Sequence, residues 1–400
     1  MKHQTIITNT ANEAEFAKVF LDESFLESET TNQVRAMIAN PALKHTRVMP
    51  DCHVGHGCCV GFTACIDCTM VVPSYVGGDI GCGILTYPMQ KMKLNLQKIE
   101  TRIKSTIPMG NGHAHIHKEN PVAPSYIDKH LVVAEAEVSS LVSRLDATIS
   151  APTINYDYFV QLCDKIGMDV STCIRSFGTL GGGNHFIEIN QESRTSEYYL
   201  TVHSGSRAFG MKLFEHHNAK VDKTLKHLKT TDSLEYCIDM IVAQHLARMN
   251  RHIMLQLILR ELDLDYDETR LIESTHNYID FHRDILRKGA IPAELDELCI
   301  VALNMRDGIL ICRGKGNEDW NYSCAHGCGR HVSRSEARRR IKLKDYKKAM
   351  HDVVSSSVCE ATLDEAPQAY KDMDLVVAAL EPTVTIEKHL ISVLNLKGTD

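Results

Sequence analysis

Four hundred residues, 44% of them hydrophobic, suffice for one large domain or two to three average ones with a substantial core. A formal charge of −7 removes any global argument for nucleic-acid binding, because the phosphate backbone rewards clustered Lys and Arg. No apolar run reaches the roughly 18 residues of a membrane span, and the N-terminus lacks a charged-then-apolar secretory pattern, so a cytoplasmic, membrane-free protein with reduced cysteines is expected.

In chain order, "QTIITNT" predicts a short strand, and "NEAEFAKVFLD" and "TTNQVRAMIAN" predict helices with Asn or Thr caps. From Thr46 to Tyr87 the runs "VGFTACI", "MVVPSYV" and "GILTYP" alternate with glycine and proline and predict a sheet. "SYIDKHLVVAEAEVSSLVSRL" predicts a helix, and "RSFGTLGGGNHFIEIN" with "EYYLTVHSGSR" predicts strands joined by glycine-rich loops. Helix dominates residues 211–262, expected to be an insertion. The strand-rich "DELCIVALNMRDGILICRGKGNEDW", a basic helix from Arg330 to Lys348 and the β-prone "PTVTIEKHLISVLNLKGTD" complete the chain. No linker, fixed-period repeat or composition shift divides it, so residues 1–400 predict a single mixed α/β (α+β) domain.

The run "VGGDIGCGI" sets Asp79 and Cys82 in one tight glycine-rich loop. Other Asp and His residues also sit beside glycines or at strand ends: Asp51 and His53 in "MPDCHVGHG", His185 in "GGGNHF", His203 in "VHSGSR", His276 in "STHNYID" and His326 in "CAHGCGR". Singly, each is an ordinary satisfied histidine or acid. Together they offer carboxylate, thiolate and imidazole, the ligand types of a transition-metal site, and their wide spacing suits strand-end loops converging on one centre.

Other patterns carry less. Cys65 and Cys68 form C-x-x-C without a second pair, within a segment that alternates like a strand. "HAHIH", His113–His117, reads as an exposed strand or loop. "GTLGGGNH" and "RGKGNEDW" match no phosphate-loop or dinucleotide fingerprint. Residues 330–348 carry nine Lys or Arg against two acids, a basic ridge or a solvated helix face.

The ordered segments "MPDCHVGHG", "VGGDIGCGI", "GTLGGGNHFIEI", "VHSGSR", "HNYI", "RKGA", "RGKGNEDW", "HGCGRHVSRSEA" and the terminal "LKG" resemble the RtcB family of RNA-splicing ligases, from about Met49 to Gly398. The resemblance implies strand-end loops converging on a dinuclear metal site. It also implies joining of an RNA 3′-phosphate or 2′,3′-cyclic phosphate to a 5′-hydroxyl, with GTP and manganese. By it, Asp79, Cys82, His185, His203 and His276 would hold two Mn²⁺ ions, with Cys82 bridging, and His326 would carry a covalent guanylate. Asn184, Phe186, Glu188, Tyr370 and Lys397 would contact the nucleotide; such a reaction needs positive charge around several phosphates at once, and Arg207 and Arg330 are the candidates to supply it to the RNA phosphates. An activating protein partner is compatible with it.

Two departures stand out. "LNMRDGIL" replaces the family's glycine-serine loop, leaving Asn304 or backbone groups to substitute, and Cys328 in "HGCGR" would make the site oxidation-sensitive if exposed. A metal-dependent phosphoesterase acting on terminal or cyclic RNA phosphates is the alternative enzyme, since two metals and arginines suffice for hydrolysis. A non-catalytic RNA-binding subunit is the third reading.

Overall fold

The computed structural model describes residues 4–9, 12, 14–89, 94–112, 115–145 and 150–399. Its strands begin with β1 (Thr5–Thr8), β2 (Phe16–Val19), β3 (Leu43–His53), β4 (Val60–Ile66), β5 (Gly83–Pro88), β6 (Phe186–Glu192) and β7 (Tyr198–Ser204). They continue with β8 (Ile272–Thr275), β9 (Asn277–Asp280), β10 (Ile285–Lys288), β11 (Ala290–Pro292), β12 (Leu298–Asn304), β13 (Gly308–Gly314), β14 (Ser323–Ala325) and β15 (Val384–Leu396). The helices are α1 (Ser28–Ile38), α2 (Pro73–Val76), α3 (Leu96–Thr106), α4 (Pro124–Leu145), α5 (Tyr156–Lys165) and α6 (Val170–Ser176). After them come α7 (Arg207–Asn218), α8 (Thr230–Glu261), α9 (Arg334–Arg340), α10 (Leu343–Ala349) and α11 (Met373–Leu380).

Two sheets carry the architecture, a single mixed α/β domain. One runs β1-β2-β3-β4-β10-β9, the other β12-β13-β15-β6-β7-β5-β8, and β11 pairs with β14 in a short ribbon. The chain passes from the second sheet to the first at His276, the residue between β8 and β9. Polar caps start helices where side chains compete for backbone donors: Asn95 accepts from the Lys98 N–H, Asn155 from Tyr158 and Asp169 from Thr172.

α8 is buried on nearly all sides, enclosed by other elements. Its Ile241, Leu246 and Met249 join a core with Phe62, Ala64 and Leu286 of the first sheet and Leu131, Val138 and Phe159 of α4 and α5. Farther along, Met254 and Ile258 pack with Leu85, Ile187 and Val202 of the second sheet and Ile99 and Ile103 of α3. One helix thus braces both sheets.

Three local expectations fail. "NEAEFAKVFLD" contains β2 and no helix, because residues 16–19 pair with β1 and β3, and tertiary pairing overrides helix propensity; a short 3₁₀ turn, Glu23–Phe25, follows it. "MVVPSYV" forms α2, with Pro73 at the first helical position where its missing N–H costs nothing. The basic segment is two helices, α9 and α10, not one.

Candidate functional site

Strand ends deliver the singled-out residues to one place. The Asp79–Cys82 loop closes as a turn, with the Cys82 N–H on the Asp79 carbonyl at 3.2 Å and the Gly81 N–H on the Asn277 carbonyl at 2.8 Å. Glycines in and beside this loop answer to close approach. A Cβ on Gly81, which has φ +68°, would lie 2.7 Å from the Gln244 Cα of α8, and one on Gly205 would meet Asp79 Oδ1 at 1.9 Å. The metal-type residues and the glycines are therefore parts of one construction.

Cys82 Sγ lies 3.4 Å from His185 Nε2 and 3.3 Å from His203 Nε2, and His203 Nε2 lies 3.3 Å from His276 Nε2. Asp79 Oδ2 lies 3.0 Å from His185 Nε2. Donors bound at 2.0–2.3 Å around one tetrahedral ion stand about 3.6 Å apart, so these separations suit metal coordination. The ligand atoms of Cys82, His185 and His203 fall within 4.8 Å of one another and could hold an ion; Asp79 and His276 adjoin them. His185 Nδ1–H donates to the Leu180 carbonyl at 3.0 Å, which turns Nε2 and its lone pair toward the cluster.

Burial, reinforced by neighbouring cationic groups, holds His203 and His276 well below the usual histidine range, so both are neutral imidazoles fit to be ligands. Burial and the Asp79 charge push the Cys82 thiol well up. For Asp79 burial opposes ionisation, but the His185 ring against its Oδ2 outweighs this and keeps the carboxyl below its ordinary range. Borderline-soft sulfur and nitrogen beside a hard carboxylate fit a first-row divalent ion.

His326, just after β14, faces this cluster, its ring centroid 4.9 Å from that of His276. Its Nδ1–H donates to buried Asp51 Oδ2 at 2.7 Å, and the same oxygen accepts the Gly327 N–H at 3.2 Å. Nε2 is left with a lone pair.

A cavity of about 560 Å³ contains Asp79, Cys82, His203, His276 and His326, together with Asn184, Phe186, Glu188, Arg330, Tyr370 and Lys397, on its wall. Every nucleotide residue implied by the resemblance is thus gathered. Buried Glu365 organises one side, accepting from Lys397 Nζ at 2.9 Å and Tyr370 Oη at 2.8 Å and pairing with Arg330 and Arg334. Burial opposes its charge, yet Lys397, Arg330 and Arg334 pull it down to about 2. Glu188 goes the other way: burial pushes it up to about 7 against hydrogen bonds from Asn190 and Asn395.

Other singled-out residues have partners of their own. Arg330 is committed to Glu365, and Arg207 packs outside this wall, its Nε on Thr179 Oγ1 at 3.3 Å. The Asn304 side chain is spent in its own hairpin turn, accepting from the Arg306 and Asp307 N–H groups and donating to Asp307 Oδ2. Cys328 is buried and burial pushes its thiol up to about 12, the opposite of an oxidation-prone thiolate. Cys68 meets Asp284, and no metal-type group forms around Cys65 and Cys68 among the described residues. His113 lies outside the described residues; His117 sits on the Gly178 carbonyl at 3.0 Å.

Sequence reading passed over Asn250 and Arg251 on α8. Asn250 accepts from the Gly178 and Thr179 N–H groups and donates to Thr179 O, Ser204 Oγ and Gly205 O, tying the glycine loop to the end of β7. Arg251 donates to Gly81 O at 2.7 Å and Ser204 O at 2.9 Å and pairs with Glu273. The one signal was "NRH", three polar residues inside an apolar helix. Glu365 offered no comparable signal.

Fold and site together define an α/β protein with a Cys–His–Asp metal-type centre facing a carboxylate-held histidine across one cavity. The family model described as tRNA-splicing ligase RtcB matches residues 33–398, and the chain belongs to that family. It is 29% identical to the RNA-splicing ligase RtcB of Escherichia coli strain K12, over 89% of this chain and 90% of that protein. It is 24% identical to the tRNA-splicing ligase RtcB of Nanoarchaeum equitans, covering 90% of each, and 22% identical to the RNA-splicing ligase RtcB of Mycobacterium tuberculosis, covering 83% and 91%.

Proposed function

We propose that this protein is an RNA ligase, joining an RNA 3′-phosphate or 2′,3′-cyclic phosphate to a 5′-hydroxyl through a guanylate carried on His326, with GTP and manganese. The observation that carries the reading is the Asp51–His326 pair, which aims an imidazole lone pair into the cavity beside the metal-type cluster. Asp79, Cys82, His185, His203 and His276 would hold two Mn²⁺ ions. When bound, such ions neutralise phosphate charge and polarise phosphoryl oxygens.

His326 Nε2 attacks the α-phosphorus of GTP, an N–P bond forms, the α–β P–O bond breaks and pyrophosphate leaves. Asp51 keeps the Nδ1 proton in its hydrogen bond and balances the positive charge gained by the ring, so the imidazole stays a good leaving group for the next step. The RNA 3′-phosphate displaces His326 to form a guanylate-capped end, and the 5′-hydroxyl then displaces GMP. The Lys397–Glu365 pair, Tyr370 and Phe186 shape the guanylate side of the cavity.

The test is ligation of two oligoribonucleotides with defined ends, in GTP and Mn²⁺. Product from 3′-phosphate and 5′-hydroxyl ends, and none from 3′-hydroxyl and 5′-phosphate ends, is expected. Release of inorganic phosphate without joining would favour the phosphoesterase.

A further inference from the structure

The entry to α9 borders the cavity, and α10 follows it in the chain. Val332, Ser333 and Arg334, at the entry to α9, stand on its wall. A second, open groove of about 660 Å³ shares Asn304 and Tyr370 with the cavity and reaches Ala349, the last residue of α10. The two hollows therefore adjoin, and the outer one reaches the end of α10, next in the chain to Lys347 and Lys348.

Part of the positive charge here has a structural explanation. Arg334 and Arg338 pair with Asp364, and Arg340 with Glu336. Arg339, Lys342, Lys344, Lys347 and Lys348 are exposed, and none has a side-chain hydrogen bond or ion pair among the described residues. Lys347 and Lys348 sit in the last turn of α10, where the helix dipole favours them. Lys342 and Lys344 occupy the opposite end, the N-cap and first turn, where the dipole disfavours positive charge; Lys342 makes no capping bond. Lys344 also faces Lys347 and Lys348 at like-charge i,i+3 and i,i+4 spacing. For Lys342 and Lys344, in a chain of net charge −7, local stability gives no reason for this placement.

The helix is nonetheless held firmly. Tyr346 and Met350 are buried with Met305 from the "LNMRDG" turn, and Tyr346 Oη meets Met305 Sδ at 3.0 Å. The turn that replaces the family's serine loop thus seats α10, and the cations project from a rigid support.

We infer that Arg339, Lys342, Lys344, Lys347 and Lys348 form the surface along which the RNA substrate's phosphate backbone lies as its end enters the cavity. The inference rests on the RNA-ligase reading and identifies where on the molecule the strand is held. It requires no sequence preference, because phosphate contacts position a strand without reading its bases.

The test is RNA binding by the full-length protein at several salt concentrations, for wild type, the five-fold alanine variant, and Lys342→Arg/Lys344→Arg/Lys347→Arg/Lys348→Arg. The alanine variant is expected to bind 3′-phosphate RNA at least ~10-fold more weakly. Its plot of log affinity against log salt should be shallower by about 2–3, since each single-strand phosphate that a cation neutralises adds about 0.7 to the slope. Its KM for RNA should rise more than its kcat falls, and the arginine variant should retain the wild-type slope. Wild-type affinity and slope in the alanine variant would overturn the inference. So would equally tight, ridge-dependent retention on phosphatidylserine vesicles. Guanylylation needs no RNA and is read separately: an adduct without a ridge effect overturns this inference alone, whereas no adduct on wild type overturns the ligase reading beneath it.

Discussion

His326 and Asp51 face each other at 2.7 Å with the carboxylate fully buried, so the tautomer of the imidazole is fixed by its partner. Asp51→Asn retains size and hydrogen-bonding capacity but permits the wrong tautomer, as in other histidine–aspartate pairs. It is expected to slow guanylylation on the order of 10²-fold or more, with the melting temperature nearly unchanged, measured by single-turnover labelling with GTP. Glu188 supplies a second residue-scale expectation. Burial raises its folded-state pKa to about 7, above its ordinary value, so between those two values the folded protein holds a proton that the unfolded chain does not. Stability contributed by Glu188 is therefore present at low pH and is lost as pH rises through about 7. Glu188→Gln should flatten that part of the urea-midpoint-versus-pH profile, and an unchanged profile would refute the assignment.

At the scale of elements, α8 holds the site as well as the core. Asn250 satisfies backbone groups of two loops at once, those carrying His185 and following His203. Replacing it with alanine leaves buried donors and acceptors unmet, each costing about 1–3 kcal/mol. Asn250→Ala is expected to lower stability by about 2–4 kcal/mol by denaturant unfolding, and to weaken Mn²⁺ binding measured calorimetrically. The metal-type residues were legible in the sequence because glycine-flanked Cys, His and Asp at strand ends are chemically conspicuous. Asn250, Arg251 and Glu365 were not, since they act through backbone groups and other side chains that only the tertiary fold brings near. Local propensity failed at β2 for the same reason, where pairing with two neighbouring strands decided the conformation.

Across the whole molecule, the centre gathers residues at strand ends of the second sheet, with His276 at the crossing to the first. Binding of an ion there adds free energy to the folded state only. Mn²⁺ is therefore expected to raise the melting temperature of wild type, and Cys82→Ala to lose most of that gain. Motif order across the chain announced the family, and the structure adds how one cavity gathers the metal-type cluster, His326 and a set of buried charges. The central claim is that His326 is the nucleophile. It is tested most directly by incubating wild type and His326→Ala with α-phosphate-labelled GTP and Mn²⁺, followed by denaturing electrophoresis. Label that stays with wild type and is absent from the variant is the predicted result; no label on metal-loaded wild type, or equal label on His326→Ala, would contradict it.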